Sequence, residues 1–234
     1  MRYYNLLADD IVTLEVLSQK KVLLQTTSSA SSITQSCYII LSMIFTPLIH
    51  KSIDFAIQVH EIDTKKKRKG KDIPYITHPL TVGLILARVT QDENIIAAGI
   101  LHDTIEDCEP YGSVTKNLIA REFNGEIAQM VNDVTEQDKT LPWMERKMAA
   151  LKHIQDMGHN SLLVKSADTL HNLTELNDDI STNGEVVFSK FNATKNDTVT
   201  RYKKLIPEIK RSWSDNPLLT DLEYGLIRLL KLTD

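Results

Sequence analysis

The sequence is short of several residue types, and each shortage excludes a class of protein. Only two cysteines, Cys37 and Cys108, occur in 234 residues. This excludes a disulfide scaffold and a cysteine-rich zinc site, and it favours a reducing, cytoplasmic location. Glycine (8) and proline (7) are scarce, at about half of their average usage. A turn-rich all-β sandwich is therefore disfavoured.

The chain also lacks a strong net charge and a long apolar run. Lysine and arginine number 27 and aspartate and glutamate 31, which gives a net charge of −4. The surface as a whole does not favour nucleic acid, so any basic site must be local. The longest apolar stretch, residues 37–49, is interrupted by polar residues and is too short to span a bilayer. We therefore predict no nucleic-acid partner and no membrane partner.

The hydrophobic pattern that is present predicts helices. Apolar residues at i, i+3, i+4 and i+7 indicate an amphipathic core helix over residues 45–61. Asp92 suits the N-cap of a helix over 93–107, and Pro79 suits the first position of another. Further helices are predicted to end near Phe123 and to cover 126–134, 142–157, 160–180, 185–206 and 217–232. No alternating strand pattern is found, so the predicted fold class is all-α, a compact multi-helix bundle.

The N-terminal segment has a different composition. Residues 25–36 (QTTSSASSITQS) are nearly all Ser, Thr, Gln and Ala, which is typical of a linker, and residues 9–19 suit one short helix. We expect residues 1–42 to be an extension or linker ahead of a helical domain over 43–234. A translation start at Met43 would open directly into the first core helix, so whether residues 1–42 belong to the working protein stays open.

Four residues on apolar segments have the chemistry of a metal site. His102 and Asp103 lie within AAGILHDTIED, and His78 and Asp168 lie on two other predicted helices. A buried aspartate is costly unless it is paired or bound to a metal, although a satisfied polar core cluster is the alternative for one His-Asp pair. Two imidazoles and two carboxylates together would suit manganese, iron or zinc, with positions left for water.

A basic segment precedes the first of these histidines. Residues 65–71 (KKKRKGK) hold six cations in seven positions. Such a run is a solvated loop, a nucleic-acid patch or a flexible loop that grips a polyphosphate. Its position seven residues before His78 favours the polyphosphate interpretation. Arg146 and Lys147 are weaker candidates for the same task.

Three motifs make the chain resemble the HD superfamily of metal-dependent phosphohydrolases. They are RKGKDIPYITHPL (68–80), LHDTIEDC (101–108) and VKSADTLHNL (164–173). The closer resemblance is to the hydrolase domain of RelA/SpoT-type alarmone enzymes and to stand-alone small alarmone hydrolases. The Glu-Asp pair that follows His-Asp is the specific feature. The resemblance covers roughly residues 45–205 and implies an HD phosphohydrolase domain within 43–234.

The resemblance implies a role for each motif residue. The implied ligands, usually of Mn²⁺, are His78, His102, Asp103 and Asp168. Glu106 and Asp107 would position or activate the attacking water, which agrees with the ability of a nearby carboxylate to accept its proton. The implied substrate contacts are Arg68 or Lys69, Tyr75 and Asn172. A small-molecule nucleotide is the implied partner.

The same resemblance implies Mn²⁺-dependent removal of the 3′-diphosphate of guanosine tetra- or pentaphosphate. Thr169 and Thr174 stand where these enzymes usually have arginines, and threonine cannot replace the bidentate phosphate contacts of arginine. A second hypothesis is therefore an HD phosphohydrolase acting on nucleoside mono- or triphosphates. A third, a non-catalytic nucleotide-binding module, is disfavoured because all four implied ligands are present.

Overall fold

The chain divides into two compact units, Met1–Met43 and Ile44–Asp234. The structure is a computed structural model that describes residues 12–17, 21–26, 38–39, 46–136 and 142–234. The first unit contains a small antiparallel sheet. Its strands are β1 (Val12–Leu17), β2 (Lys21–Thr26) and β3 (Tyr38–Ile39), in the order β1-β2-β3.

The sheet corrects the helix predicted for residues 9–19. Val12 of β1 faces Thr26 of β2, and the pairing continues to Leu17 opposite Lys21. Val12, Thr13 and Val16 are β-branched and favour extended backbone, so strand propensity prevailed over the weak helical pattern. Residues 25–26 of the predicted linker belong to β2, while residues 27–36 lie outside the described residues.

In the second unit the regular elements of the described residues are helical, so the predicted all-α multi-helix bundle is confirmed there. The helices are α1 (Pro47–Ile57), α2 (Thr77–Val89), α3 (Glu93–Leu101), α4 (Thr104–Asp107), α5 (Lys116–Glu122), α6 (Gly125–Val134), α7 (Trp143–His153), α8 (His159–Asn183), α9 (Lys195–Ser212) and α10 (Leu219–Thr233). A π-helical turn follows α1 and 3-10 turns follow α7 and α8. No helix in the described ranges is long and apolar enough to cross a membrane.

The positions at which the helices begin depend more on capping side chains than on the spacing of apolar residues. Asp92 caps α3 as predicted, since its carboxylate accepts a bond from the Asn94 amide at 2.9 Å. The single helix predicted over 185–206 is wrong: a 3-10 turn, Gly184–Lys190, comes first, and α9 begins later. Thr194 and Asp197 form a capping box at the start of α9, which satisfies free amides there and restarts the helix.

Helix α8 joins two hydrophobic clusters. Its residues Val164 and Ala167 belong to a cluster with α1, α2, α3 and α6. Its residues Leu162, Leu173 and Ile180 belong to a second cluster with α9 and α10. Both clusters hold the helix firmly, because burial of such side chains contributes about 1.5–3 kcal/mol each. The polar side chains of α8 therefore have a rigid base.

Two glycines allow α2 and α3 to approach closely. A Cβ on Gly83 of α2 would lie 2.7 Å from Cγ1 of Ile100, and one on Gly99 of α3 would collide with Leu86. Each glycine therefore makes room for a large side chain of the opposite helix. This contact brings the end of α3 close to α2.

We predict that a chain beginning at Met43 folds with an unchanged melting temperature. Among the side chains that the structure describes, the two hydrophobic clusters consist of residues from Leu48 onward. Differential scanning calorimetry of the full and shortened chains checks this. A large fall in melting temperature on truncation would show that residues 1–42 pack on the helical unit.

Candidate active site

Two histidines and two aspartates from separate elements converge. Nε2 of His78, at the start of α2, lies 3.4 Å from Oδ1 of Asp168 and 3.7 Å from Oδ2 of Asp103. Nε2 of His102 lies 2.9 Å from Oδ2 of Asp103 and 3.9 Å from Oδ1 of Asp168. The structure thus brings together the four residues that the sequence nominates as metal ligands. Both imidazoles are buried, His78 at 1% and His102 at 3% exposure.

A break between α3 and α4 presents the His-Asp pair, where the sequence predicted one continuous helix over 93–107. Nδ1 of His102 bonds the Gly99 carbonyl at 2.7 Å, and Thr104 donates to the Leu101 carbonyl at 2.7 Å. These side chains compete for carbonyls that a continuing helix would use. Asp103 adopts φ −95°, ψ −2°, which is the bridge region common in active sites. His102 and Asp103 therefore lie at a turn.

The outer nitrogens of both imidazoles have partners. Because a carbonyl only accepts, Nδ1 of His102 carries a proton and donates it to Gly99. Nδ1 of His78 lies 2.6 Å from Nδ1 of His171. Burial and the neighbouring His78 lower the pKa of His171 to about 4, so His171 is neutral and can accept this bond. Both Nε2 atoms are thereby oriented toward the aspartates.

The electrostatics of the cluster favour a cation. Burial opposes ionisation of Asp103 and Asp168, but His102 beside the first and Lys165 beside the second hold both pKa values well below the usual range. Burial likewise opposes a charge on His102, but Asp103 outweighs it and raises the pKa of His102 to about 9. Nε2 of His102 lies against Oδ2 of Asp103, so without a metal it carries a proton. A divalent ion would displace that proton, and two carboxylates with two imidazole nitrogens suit such an ion.

The cluster lies beside a cavity of about 360 Å³ that is rich in cations. Asp103 and Asp168 line it together with Glu106, Tyr75 and Asn172. Its cationic lining residues are Lys66, Lys67, Arg68, Lys69, Lys71, Lys147, Lys165 and Arg201. Such a concave surface attracts an anionic, phosphate-bearing ligand.

The basic segment is fastened to α8, which corrects the expectation of a flexible loop. Arg68 donates from Nε to Glu175 at 3.0 Å and from Nη2 to Asn172 Oδ1 at 2.9 Å. Lys71 pairs with Glu175 at 3.0 Å and with Asp179 at 2.8 Å. Burial opposes ionisation of Glu175, but these cations lower its pKa to about 2. The segment therefore presents a preformed cationic surface.

The two carboxylates that follow the His-Asp pair have different surroundings. Glu106 lines the cavity, and burial together with Asp103 raises its pKa. Asp107 is not among the lining residues. It forms an ion pair with Lys66 and lies 3.8 Å from Nδ1 of His60, and burial raises its pKa to about 6. Glu106 is thus the carboxylate with access to a ligand in the cavity.

Arg146 and Lys147 both pair with Glu136. Lys147 lines the cationic cavity. Arg146 instead lines an adjoining cavity of about 130 Å³. Lys147 therefore lines the candidate site, and Arg146 does not.

The two threonines do not face the cationic cavity. Thr169 is buried and donates to the Lys165 carbonyl at 2.7 Å. Thr174 lines a different cavity, of about 470 Å³ between α2, α8 and α10. Neither threonine is among the lining residues of the cationic cavity, so the positive charge there comes from other positions.

Sequence reasoning missed three charged residues of the site. Lys165 pairs with Asp168 at 2.9 Å, and its position three residues earlier on one helix was the available signal. Arg201 of α9 lines the cavity, and no local motif marks it. The Glu136 carboxylate forms ion pairs with Arg146 and Lys147. The Glu136 backbone amide donates a hydrogen bond to the Glu106 carboxylate at 3.3 Å.

The comparisons with known proteins identify the family. The family model of the HD domain matches residues 52–199. The chain belongs to the HD domain family. It is 35% identical to the zebrafish (Danio rerio) guanosine-3′,5′-bis(diphosphate) 3′-pyrophosphohydrolase MESH1 over 134 residues, which is 56% of this chain and 71% of that protein. The human protein of the same name is 36% identical over 130 residues, covering 54% and 68%.

A solved structure supports the fold. It is that of a metazoan ortholog of SpoT, which hydrolyzes ppGpp and plays a role in starvation responses. It matches with a TM-score of 0.62 over 80% of this chain and 96% of that one, at 23% identity. At this identity the match shows that the helical architecture is shared.

We predict one divalent cation per chain, bound at the four-residue cluster. Asp103→Ala should lose it, because one carboxylate and two imidazoles bind a divalent ion less tightly. The variant should also unfold at a lower temperature, because His102 loses the carboxylate beside it. Elemental analysis and thermal melts check this, with the exposed Asp156→Ala as the matched control. Equal metal content in wild type and Asp103→Ala would contradict the assignment.

Proposed function

We propose that this protein is a Mn²⁺-dependent hydrolase that removes the 3′-diphosphate of guanosine tetra- and pentaphosphate. The observation that carries the proposal is the convergence of His78, His102, Asp103 and Asp168 beside a cationic cavity. The similarity to proteins named as hydrolases of that nucleotide supports it. The buried free thiol of Cys108 is compatible with the cytoplasmic location predicted from the sequence.

In this proposal the four-residue cluster would hold Mn²⁺ through the two imidazoles and the two carboxylates. The ion would neutralise charge on phosphoryl oxygens and lower the pKa of water. Glu106 would act as the general base for the attacking water. Its raised pKa makes it a stronger base than an ordinary glutamate, which suits work near neutral pH.

The remaining residues would bind and orient the nucleotide. Lys147 and Arg201 line the same cavity, and Arg201 adds to burial in lowering the pKa of Lys147. This concentration of positive charge would stabilise a diphosphate. Arg68 and Asn172 bond each other and line the same cavity, and with Lys69 and Tyr75 they would contact the nucleoside side of the substrate. Water would then attack the phosphorus next to the 3′ oxygen, and the bond from that phosphorus to the 3′ oxygen would break. The products would be pyrophosphate, which keeps the water oxygen, and a nucleotide whose 3′ oxygen takes up a proton as a hydroxyl.

We predict pyrophosphate release from guanosine tetraphosphate in the presence of Mn²⁺, and loss of release with a chelator. The assay measures pyrophosphate, orthophosphate and guanosine diphosphate over a panel that includes nucleoside mono- and triphosphates. The Asp103→Ala variant serves as the inactive control. Orthophosphate from nucleoside monophosphates, with no pyrophosphate from guanosine tetraphosphate, would assign the protein to the second hypothesis. Nucleotide binding without turnover would assign it to the third.

We predict that Glu106→Gln keeps the metal but loses about 10²–10⁴-fold in kcat, the usual contribution of general acid–base catalysis. The change preserves shape and removes the proton-accepting charge. Asp107→Asn is the matched control, because its carboxylate pairs with Lys66 and does not line the cavity. Its loss should be smaller. Loss of metal in Glu106→Gln would make Glu106 a ligand, and a larger loss in Asp107→Asn would transfer the proposed role to Asp107.

A further inference from the structure

We propose that Lys165 is a positioning residue that keeps Asp168 a one-oxygen ligand of the metal. It does so by holding Oδ2, so that only Oδ1 faces the imidazoles. The inference rests on the proposed function only in taking Asp168 as a ligand. The identity of the nucleotide does not enter it.

The two oxygens of Asp168 have separate partners. Oδ2 lies 2.9 Å from Nζ of Lys165, one turn earlier on α8. Oδ1 lies 3.4 Å from Nε2 of His78 and accepts a bond from Asn172 Nδ2 at 2.6 Å. A carboxylate oxygen has two lone pairs, so Oδ1 keeps one for an ion after bonding Asn172. The carboxylate therefore cannot rotate without breaking both bonds.

Stability alone does not explain a lysine at this position. The neighbouring Leu163 and Val164 are buried in the first hydrophobic cluster, and the Lys165 side chain is only 16% exposed. A buried ion pair adds little free energy compared with well-packed apolar residues, because two charges lose their hydration. The pair is better explained by what it does to Asp168.

Control of Asp168 has a chemical consequence. Carboxylates bind metal ions through one oxygen or through two. If both oxygens bound, the ion would lose a position that a water or a phosphate oxygen can otherwise occupy, and catalytic metal sites keep such a position open. Lys165 thus preserves an open position by orienting the carboxylate, with Oδ2 turned toward its ammonium and Oδ1 toward the imidazoles.

The test uses three variants of the full chain. Lys165→Met removes the ammonium and keeps the length, and Lys165→Arg keeps a cation. Lys152→Met, on the exposed side of α7, is the control for loss of a lysine. Metal-free protein is titrated with Mn²⁺ by calorimetry and with Co²⁺ by visible absorption, since band intensity and shape report coordination geometry. Turnover of guanosine tetraphosphate is measured in parallel.

We expect Lys165→Met to bind Mn²⁺ no more weakly than wild type, to change the Co²⁺ spectrum and to lose about 10–100-fold in kcat, the usual effect of removing a residue that orients a metal ligand. Lys165→Arg should restore the wild-type spectrum and most of the turnover. Lys152→Met should match wild type in all three measurements.

Two results would overturn the proposal. Weaker Mn²⁺ binding with an unchanged Co²⁺ spectrum would mean that Lys165 only strengthens the ligand, and an unchanged spectrum with unchanged turnover would mean a simple ion pair. If circular dichroism shows that Lys165→Met does not fold, Lys165→Gln takes its place under the same criteria. Failure of the wild type to hydrolyse guanosine tetraphosphate rejects the proposed function, while the Co²⁺ spectra still decide the role of Lys165.

Discussion

Two negative charges in the interior, those of Asp103 and Asp168, set the constraint that the helical unit satisfies. An ionised carboxylate is costly to bury unless it is paired, and both carboxylates remain ionised because cationic or polar groups surround them. Helix α2 supplies His78, the turn before α4 supplies His102, and α8 supplies Lys165. Three elements far apart in sequence must therefore pack in one arrangement before these charges are tolerated.

Much of this arrangement could be predicted from the sequence, because the four proposed metal ligands occupy positions within apolar helical patterns. His78, Asp103 and Asp168 are each recognisable as polar residues on core-facing segments. The pattern did not predict the break after Leu101, because side-chain bonds from His102 and Thr104 to backbone carbonyls decide it. Such local competition for carbonyl groups does not change the spacing of the apolar residues, so hydrophobic periodicity alone predicts an uninterrupted helix.

The parts that the sequence did not reveal are those that depend on which way a helix faces. Thr174 was compared with an arginine because of its motif position, yet it lines the cavity between α2, α8 and α10. Arg201 comes from α9, which carries no recognisable motif, yet it lines the cationic cavity. Positive charge at the site is thus a property of the assembled helices. A comparison of motifs counts only the charges within the motifs, so it underestimates the positive charge of the assembled site.

The packing of α8 explains how a polar site and a stable fold coexist. Apolar residues of α8 enter both hydrophobic clusters, while its polar residues from Lys165 to Glu175 meet the ligands of α2, the His-Asp turn and the basic segment. Tight packing leaves few alternative positions for a helix axis, so the distance from Asp168 to the imidazoles is determined by the clusters rather than by the charges. The site is therefore preorganised: the packing of α8 fixes the backbone of Asp168, Lys165 and Asn172 orient its carboxylate, and binding a divalent ion then requires little rearrangement.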